Sequence, residues 1–222
     1  MATANNSSFD GFIGRLGNTV TYLRCGKPTR RTIGISTKAP TEDQLKYRTQ
    51  TQLTNDFIAP VKEFYKIGFK LEAQLAKKTP RDLINSYTRL NIIKGEYPNQ
   101  EIDFTKALFS KGKMPETPGT KAELIEDGLE FTWDTKLIQG KFRSDDQVML
   151  LVYFPELNTA EYTINGGVRA KGSAQFRLLK NEEPTLMETY ISFISADHKK
   201  ISDSVYTGQF ILPAIQITTK SA

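Results

Sequence analysis

Cysteine, histidine and tryptophan each occur only once in the 222 residues. A single Cys25 excludes an internal disulfide and any cysteine-based zinc cage. A single His198, in the polar stretch SADHKK, removes imidazole metal clusters. Beside two lysines it reads as a solvated turn residue, not the base of a Ser-His-Asp or Cys-His pair. Long hydrophobic runs are also missing. The longest, VMLLVYF at 148–154, is far short of the roughly 20 residues that a membrane helix needs. The opening MATANNSSFD has neither a basic start nor an apolar stretch, so no secretory signal is expected. The expected site of synthesis is the cytoplasm, with a virion or an extracellular assembly open as the final location. No enzyme activity, no cofactor and no metal are expected.

What is present is charge in an unusual place. The net charge is +5, from 30 basic and 25 acidic side chains. Residues 1–40 hold six of the basic ones (Arg15, Arg24, Lys27, Arg30, Arg31 and Lys38) against Asp10 alone. The remaining chain is balanced, so the whole excess lies in this N-terminal stretch.

Its centre reads FDGFIGRLGNTVTYLRCGKPTRR, with glycines at 11, 14 and 17. A phosphate loop needs a buried strand before it and a helix after it. Here a few polar residues precede the glycines and a β-branched run, TVTYLRC, follows them. The phosphate cradle is therefore rejected. Gly17-Asn18 marks a turn into a strand at about 19–25, which turns at GKP and returns as TRRTIGIS. The expectation is a basic β-hairpin behind a flexible leader carrying Phe9, Phe12, Ile13 and Leu16. Cys25, beside Arg24 and Gly26, is read as an inert, half-exposed thiol rather than an activated one.

After a break at KAPT (38–41), Thr41 and Gln44 form a capping-box pattern. Leu45, Leu53, Phe57, Val61, Phe64 and Tyr65 recur at near-helical spacing, with a kink at Pro60 and a stop at Gly68. A second helix is predicted from Thr79, with Pro80 at its first position and Asp82 in its first turn, ending by Gly95. YPNQE (97–101) marks the change to period-two patterning. Strands are predicted at 103–110, 122–134, 146–154, 160–165, 173–179, 187–195 and 203–212. The fold class is α+β, with an N-terminal hairpin and two helices followed by a C-terminal antiparallel immunoglobulin-like β-sandwich. The domains expected are 1–40 (arm and basic hairpin), 41–100 (helical segment) and 101–222 (sandwich).

Two sets of motifs carry resemblances. LEFTWD, with Trp133 pointing inward, and YISFISADHKKISDSVYTG resemble a fibronectin type III or immunoglobulin-like module. GFIGRLGNTVTY, PTEDQLKYRTQ and GEYPNQEIDFTKALFSKGKMP are similar to a family of Bacteroidota proteins known as a domain of unknown function, over about residues 9–210. That resemblance implies a source group and a shared architecture, and no activity.

Two acidic clusters bear on possible chemistry. SDD (144–146) lacks a calcium-loop pattern and reads as a solvated turn. Glu123, Glu126, Asp127, Glu130 and Asp134 could hold a glycosidase pair, but their strand positions make them surface acids. The expected function is a non-enzymatic structural or assembly subunit that self-associates through its N-terminal arm and hairpin into a ring, tube, filament or virion part. Phe12, Ile13, Arg15, Leu16, Tyr22, Arg24, Arg30 and Arg31 are its contact residues. A homo-oligomer or polymer is the expected partner state. Nucleic acid gripped by the basic hairpin is the first alternative, and a carbohydrate-binding or glycoside-cleaving sandwich the second.

Overall fold

The computed structural model describes residues 3–4, 12–24, 26–35, 37–135, 143–179 and 183–214. The chain divides into two compact units, residues 1–42 and 43–222. Cys25 and Phe9 lie outside the described residues.

The first unit is a four-stranded antiparallel sheet in sequence order: β1 (Thr3–Ala4), β2 (Phe12–Leu16), β3 (Thr19–Arg24) and β4 (Lys27–Thr32). The flexible leader is corrected here, because Phe12–Leu16 is a strand. Gly17, at φ +60°, adopts the left-handed conformation that a two-residue turn demands, so Leu16 pairs with Thr19 and the leader folds back along β3.

The second unit begins with α1 (Glu42–Ile58), which starts directly after Thr41. Where two helices were expected up to Gly95, four form: α1, α2 (Lys62–Gly68), α3 (Lys70–Ala76) and α4 (Pro80–Tyr87). Pro60 lacks the N–H to continue α1, and the chain restarts two residues later. Gly68 does more than end α2. A Cβ there would lie 2.2 Å from the carbonyl oxygen of Phe109, so glycine lets that segment approach. Thr79 and Asp82 form the reciprocal capping box at α4. A π-helical turn (Thr88–Ile92) then leads into a short ladder of β5 (Ile93–Lys94) with β6 (Glu101–Ile102).

The strand expected at 103–110 does not form. Asp103 Oδ1 accepts hydrogen bonds from the Thr105 hydroxyl (2.6 Å) and amide (3.3 Å), and a 3₁₀ turn follows. These local bonds compete with a sheet ladder. The stretch predicted as one strand at 122–134 is a hairpin, β7 (Lys121–Ile125) and β8 (Gly128–Thr132), turning at Glu126-Asp127. The remaining strands are β9 (Gln147–Phe154), β10 (Thr159–Thr163), β11 (Ser173–Arg177), β12 (Thr185–Ile194) and β13 (Val205–Leu212).

They form two antiparallel sheets, β10-β9-β12-β13 and β11-β8-β7. One apolar cluster lies between the sheets: Leu129, Phe131 and Trp133 meet Val148, Leu150, Val152, Ile191 and Phe193. A second lies on the other face of the four-stranded sheet. There Phe57, Phe64, Phe69, Ile84 and Phe109 pack against Met149, Leu151, Tyr153, Tyr190 and Ile194. The β10-β9-β12-β13 sheet is thus covered on both faces, which is why β9 is apolar from residue 148 to 154 instead of alternating. The architecture is α+β, with a β-sandwich flanked by helices. No helix among the described residues is long and apolar enough to cross a membrane.

Candidate functional site

The N-terminal sheet places the predicted contact residues by register. Val20 faces Arg15 on one side and Arg31 on the other, Tyr22 faces Thr29, and Arg24 faces Lys27. Strand side chains alternate between faces, so Arg15, Arg31, Arg24 and Lys27 share one face with Val20 and Tyr22. The direct Arg24–Lys27 pairing is one of like charges, which is unfavourable without a counter-charge. Arg30 is on the opposite face, where its Nε donates to the Thr21 hydroxyl at 3.2 Å. Leu16, Leu23 and Pro28 fall on that face by the same registers. Arg15 Nε donates to the Gly17 carbonyl at 3.2 Å. Ile13 is half-buried, and the backbone of Phe12 pairs with Ala4.

Two properties of this unit stand out. Among its described residues only Thr21 is buried, while Leu16 is 57 % exposed. Within the unit no described carboxylate pairs with Arg15, Arg24, Arg30 or Arg31. The sheet thus has one basic face and one mixed face where Leu16, Leu23 and Pro28 accompany Arg30, and a core on neither.

A second feature lies in the other unit and went unread in the sequence. A groove of about 720 Å³ opens between α3, the segment 112–115 and the turn 195–200. Leu71, Leu75 and Met114 line it, and Lys113, Lys199 and Lys200 stand around it, with Glu72 the acid among the lining residues. Its walls are fixed by hydrogen bonds from backbone N–H groups. Gly112 N–H donates to Asp203 Oδ1 (2.8 Å), and Met114 N–H to the Ile201 carbonyl (2.9 Å). A Cβ on Gly112 would sit 2.2 Å from that same carbonyl oxygen, so only glycine brings the wall this close. The lysine turn is equally tied. Ser195 Oγ accepts from the amides of Lys199 (3.2 Å) and Lys200 (2.9 Å) and donates to Asp197 Oδ1 (2.7 Å). That hydroxyl holds the Asp197 carboxyl below the usual carboxylate range. The sequence signal was the pair of lysines at a hairpin tip; their apolar neighbours come from segments far apart in the chain.

The remaining candidates are placed as follows. His198 is exposed at φ +54° in the same turn. Glu123 lies directly opposite Glu130 across β7 and β8, and Glu126 and Asp127 form the exposed turn between them. The reading of 144–146 as a solvated turn is corrected at Asp146, which is 1 % exposed. Asp146 Oδ2 is 3.1 Å from Arg169 Nε, and that guanidinium also donates to Thr117 and stacks 4.0 Å from the Phe193 ring centroid. Burial pulls the Arg169 pKa below its ordinary value despite the neighbouring carboxylate. The pair is enclosed in the sandwich beside Trp133, whose indole N–H donates to the Arg169 carbonyl at 2.8 Å. Among the described residues no group of three or more His, Cys, Asp or Glu side chains is gathered to hold a metal ion.

Compared with known sequences, residues 10–208 match the model of a family described as "Family of unknown function (DUF6266)". No curated protein matches the chain.

Proposed function

The chain belongs to that family of unknown function, and from this premise we propose that it is a non-enzymatic structural subunit that self-associates through its N-terminal sheet. The observation that carries the reading is a sheet without a core. A small sheet needs a buried apolar face to be stable in water, and here Thr21 alone is buried among the unit's described residues. A neighbouring subunit supplies what is missing: apolar cover for Leu16 and Leu23, and carboxylates for Arg15, Arg24 and Arg31. Such a contact joins unlike surfaces, so it propagates into a ring if the rotation closes and into a tube or filament if it does not. A virion part is one setting for this.

The strand division supports reading the sandwich as a relative of the fibronectin type III and immunoglobulin modules. The first, second and fifth strands of the C-terminal region form one sheet, and the other four form the second. Such modules commonly act as spacers or display parts. We take the source group to be Bacteroidota, on the segments quoted above.

Deletion of residues 1–36 tests the proposal. The second unit has its own cores, so the truncated protein is expected to stay folded, with Trp133 still shielded, and to sediment as a monomer while the full chain forms larger species. A full-length chain that is monomeric at every concentration, or a truncation that unfolds the body, sinks the reading.

A further inference from the structure

The sandwich carries an acidic turn at one end and a lysine-bearing turn at the other. Trp133, just past β8, packs edge-on against Phe193 near the end of β12, with ring centroids 5.5 Å apart. The end of β8 therefore lies at the same end of the sandwich as the 195–200 turn and its lysines. β8 runs from Gly128 to Thr132, so the Glu126-Asp127 turn that precedes it lies at the opposite end.

That turn is built to protrude. Glu126 and Asp127 are exposed, and Ile125 pairs with Gly128 across the turn. The Asp127 carbonyl accepts from the Leu178 amide at 3.2 Å, which brings the next residue, Leu179, alongside. Leu179 is 80 % exposed and Leu124 43 %. Two carboxylates with two exposed leucines make an acidic, apolar knob. Among the described residues, Arg177 stands in the cross-strand row of Gly128 as a cation next to it. The groove at the other end has the converse make-up: an apolar lining of Leu71, Leu75 and Met114 with Lys113, Lys199 and Lys200 around it.

We infer that the Glu126-Asp127 turn of one copy seats in the lysine-rimmed groove of the next. The occupant is a second copy because the chain itself carries the complementary surface, at an end from which it cannot fold back into its own groove. Leucines cover the apolar lining while the lysines meet Glu126 and Asp127. The strongly basic N-terminal sheet is a poor occupant for the same groove, since the lysines would repel it. The inference rests on the assembly reading and adds a second contact to it, one that strengthens association without sustaining it once the N-terminal sheet is removed.

The test is charge reversal in the full chain, read by sedimentation velocity over a concentration series. One variant carries Lys199→Glu and Lys200→Glu, another Glu126→Lys and Asp127→Lys, and a third carries all four. Each reversal alone is expected to weaken association about tenfold or more, a loss of about 1.4 kcal/mol, and the four-fold variant to recover most of it. Circular dichroism and Trp133 fluorescence check that each variant is folded. No loss in the single reversals, or loss without recovery in the combined chain, overturns the inference. A parallel variant with Arg15→Glu, Arg24→Glu and Arg31→Glu separates the two contacts. If it alone abolishes association, the groove contact is wrong and the N-terminal reading stands. If only the groove and turn variants matter, the N-terminal reading is wrong and the groove contact stands. A wild-type chain that never associates overturns both.

Discussion

Asp146 and Arg169 illustrate what a single side chain decides in this protein. Both are 1 % exposed, and each is the other's counter-charge. Removing one partner takes the nearest counter-charge from a buried ion, which costs far more than the pair itself contributes. Asp146→Ala is therefore expected to destabilise the fold by about 3–5 kcal/mol, while Asp146→Ala combined with Arg169→Met loses much less. Urea unfolding followed by Trp133 fluorescence measures both, and equal losses would contradict the account. None of this could be read beforehand. Asp146 sits in SDD and Arg169 follows GGV, both ordinary turn compositions. Their pairing depends on two loops meeting at one end of the sandwich, and no periodicity records that. Trp133 was legible because its strand alternates, and the inward position follows from the pattern alone.

At the scale of elements, local signals were read well and continuity poorly. The start of α4 was legible because Thr79, Pro80 and Asp82 act within one turn. Asp82 is held below the usual carboxylate range first by the Thr79 hydroxyl and then by the Thr79 amide. A lowered pKa in the folded state contributes stability above the unfolded carboxyl's pKa, and that contribution is lost as pH falls through the folded value. Thr79→Ala should therefore cost about 1 kcal/mol near neutral pH, and its difference from wild type should shrink in acid. Thermal unfolding at neutral and acidic pH gives the comparison; a difference that grows in acid would contradict the capping role. By contrast, DFTKALFS alternates like a strand and becomes a 3₁₀ turn and an irregular stretch. Its backbone finds other partners, with Phe109 N–H donating to Ser204 Oγ and the Ser110 carbonyl accepting from the Ser204 amide. The N-terminal hairpin was legible through the GKP turn between TVTYLRC and TRRTIGIS. The pairing of Phe12–Leu16 with it was not, because glycines at 11 and 14 suggested looseness.

For the whole molecule, the placement of charge separates protein assembly from nucleic-acid binding. Arg15, Arg24, Lys27 and Arg31 surround Tyr22 on one face, a composition that could also grip phosphates. If it does, affinity for mixed-sequence DNA or RNA will be high at low salt and fall steeply as salt rises, because counterions are released on binding. Little binding is expected at physiological salt. A submicromolar complex at about 150 mM salt, tighter than ordinary non-specific binding, would reverse the ranking of the two readings. The groove was invisible at this scale too. Leu71 and Leu75, Met114, and Lys199 and Lys200 come from three separated segments, and the sequence shows each as unremarkable surface.

The helices that cover the outer face of the β10-β9-β12-β13 sheet bear on how this sandwich can be inherited. Many sandwich modules multiply by duplication and shuffling, since each carries its whole core between its sheets. Here the same sheet also buries Met149, Leu151, Tyr153, Tyr190 and Ile194 under residues 57–109. A gene segment encoding the strands alone would yield an apolar sheet open to water, prone to aggregate wherever it was spliced. A stable copy of the sandwich therefore needs its helical segment beside it, and tandem copies of this protein would have to repeat that segment with every sandwich.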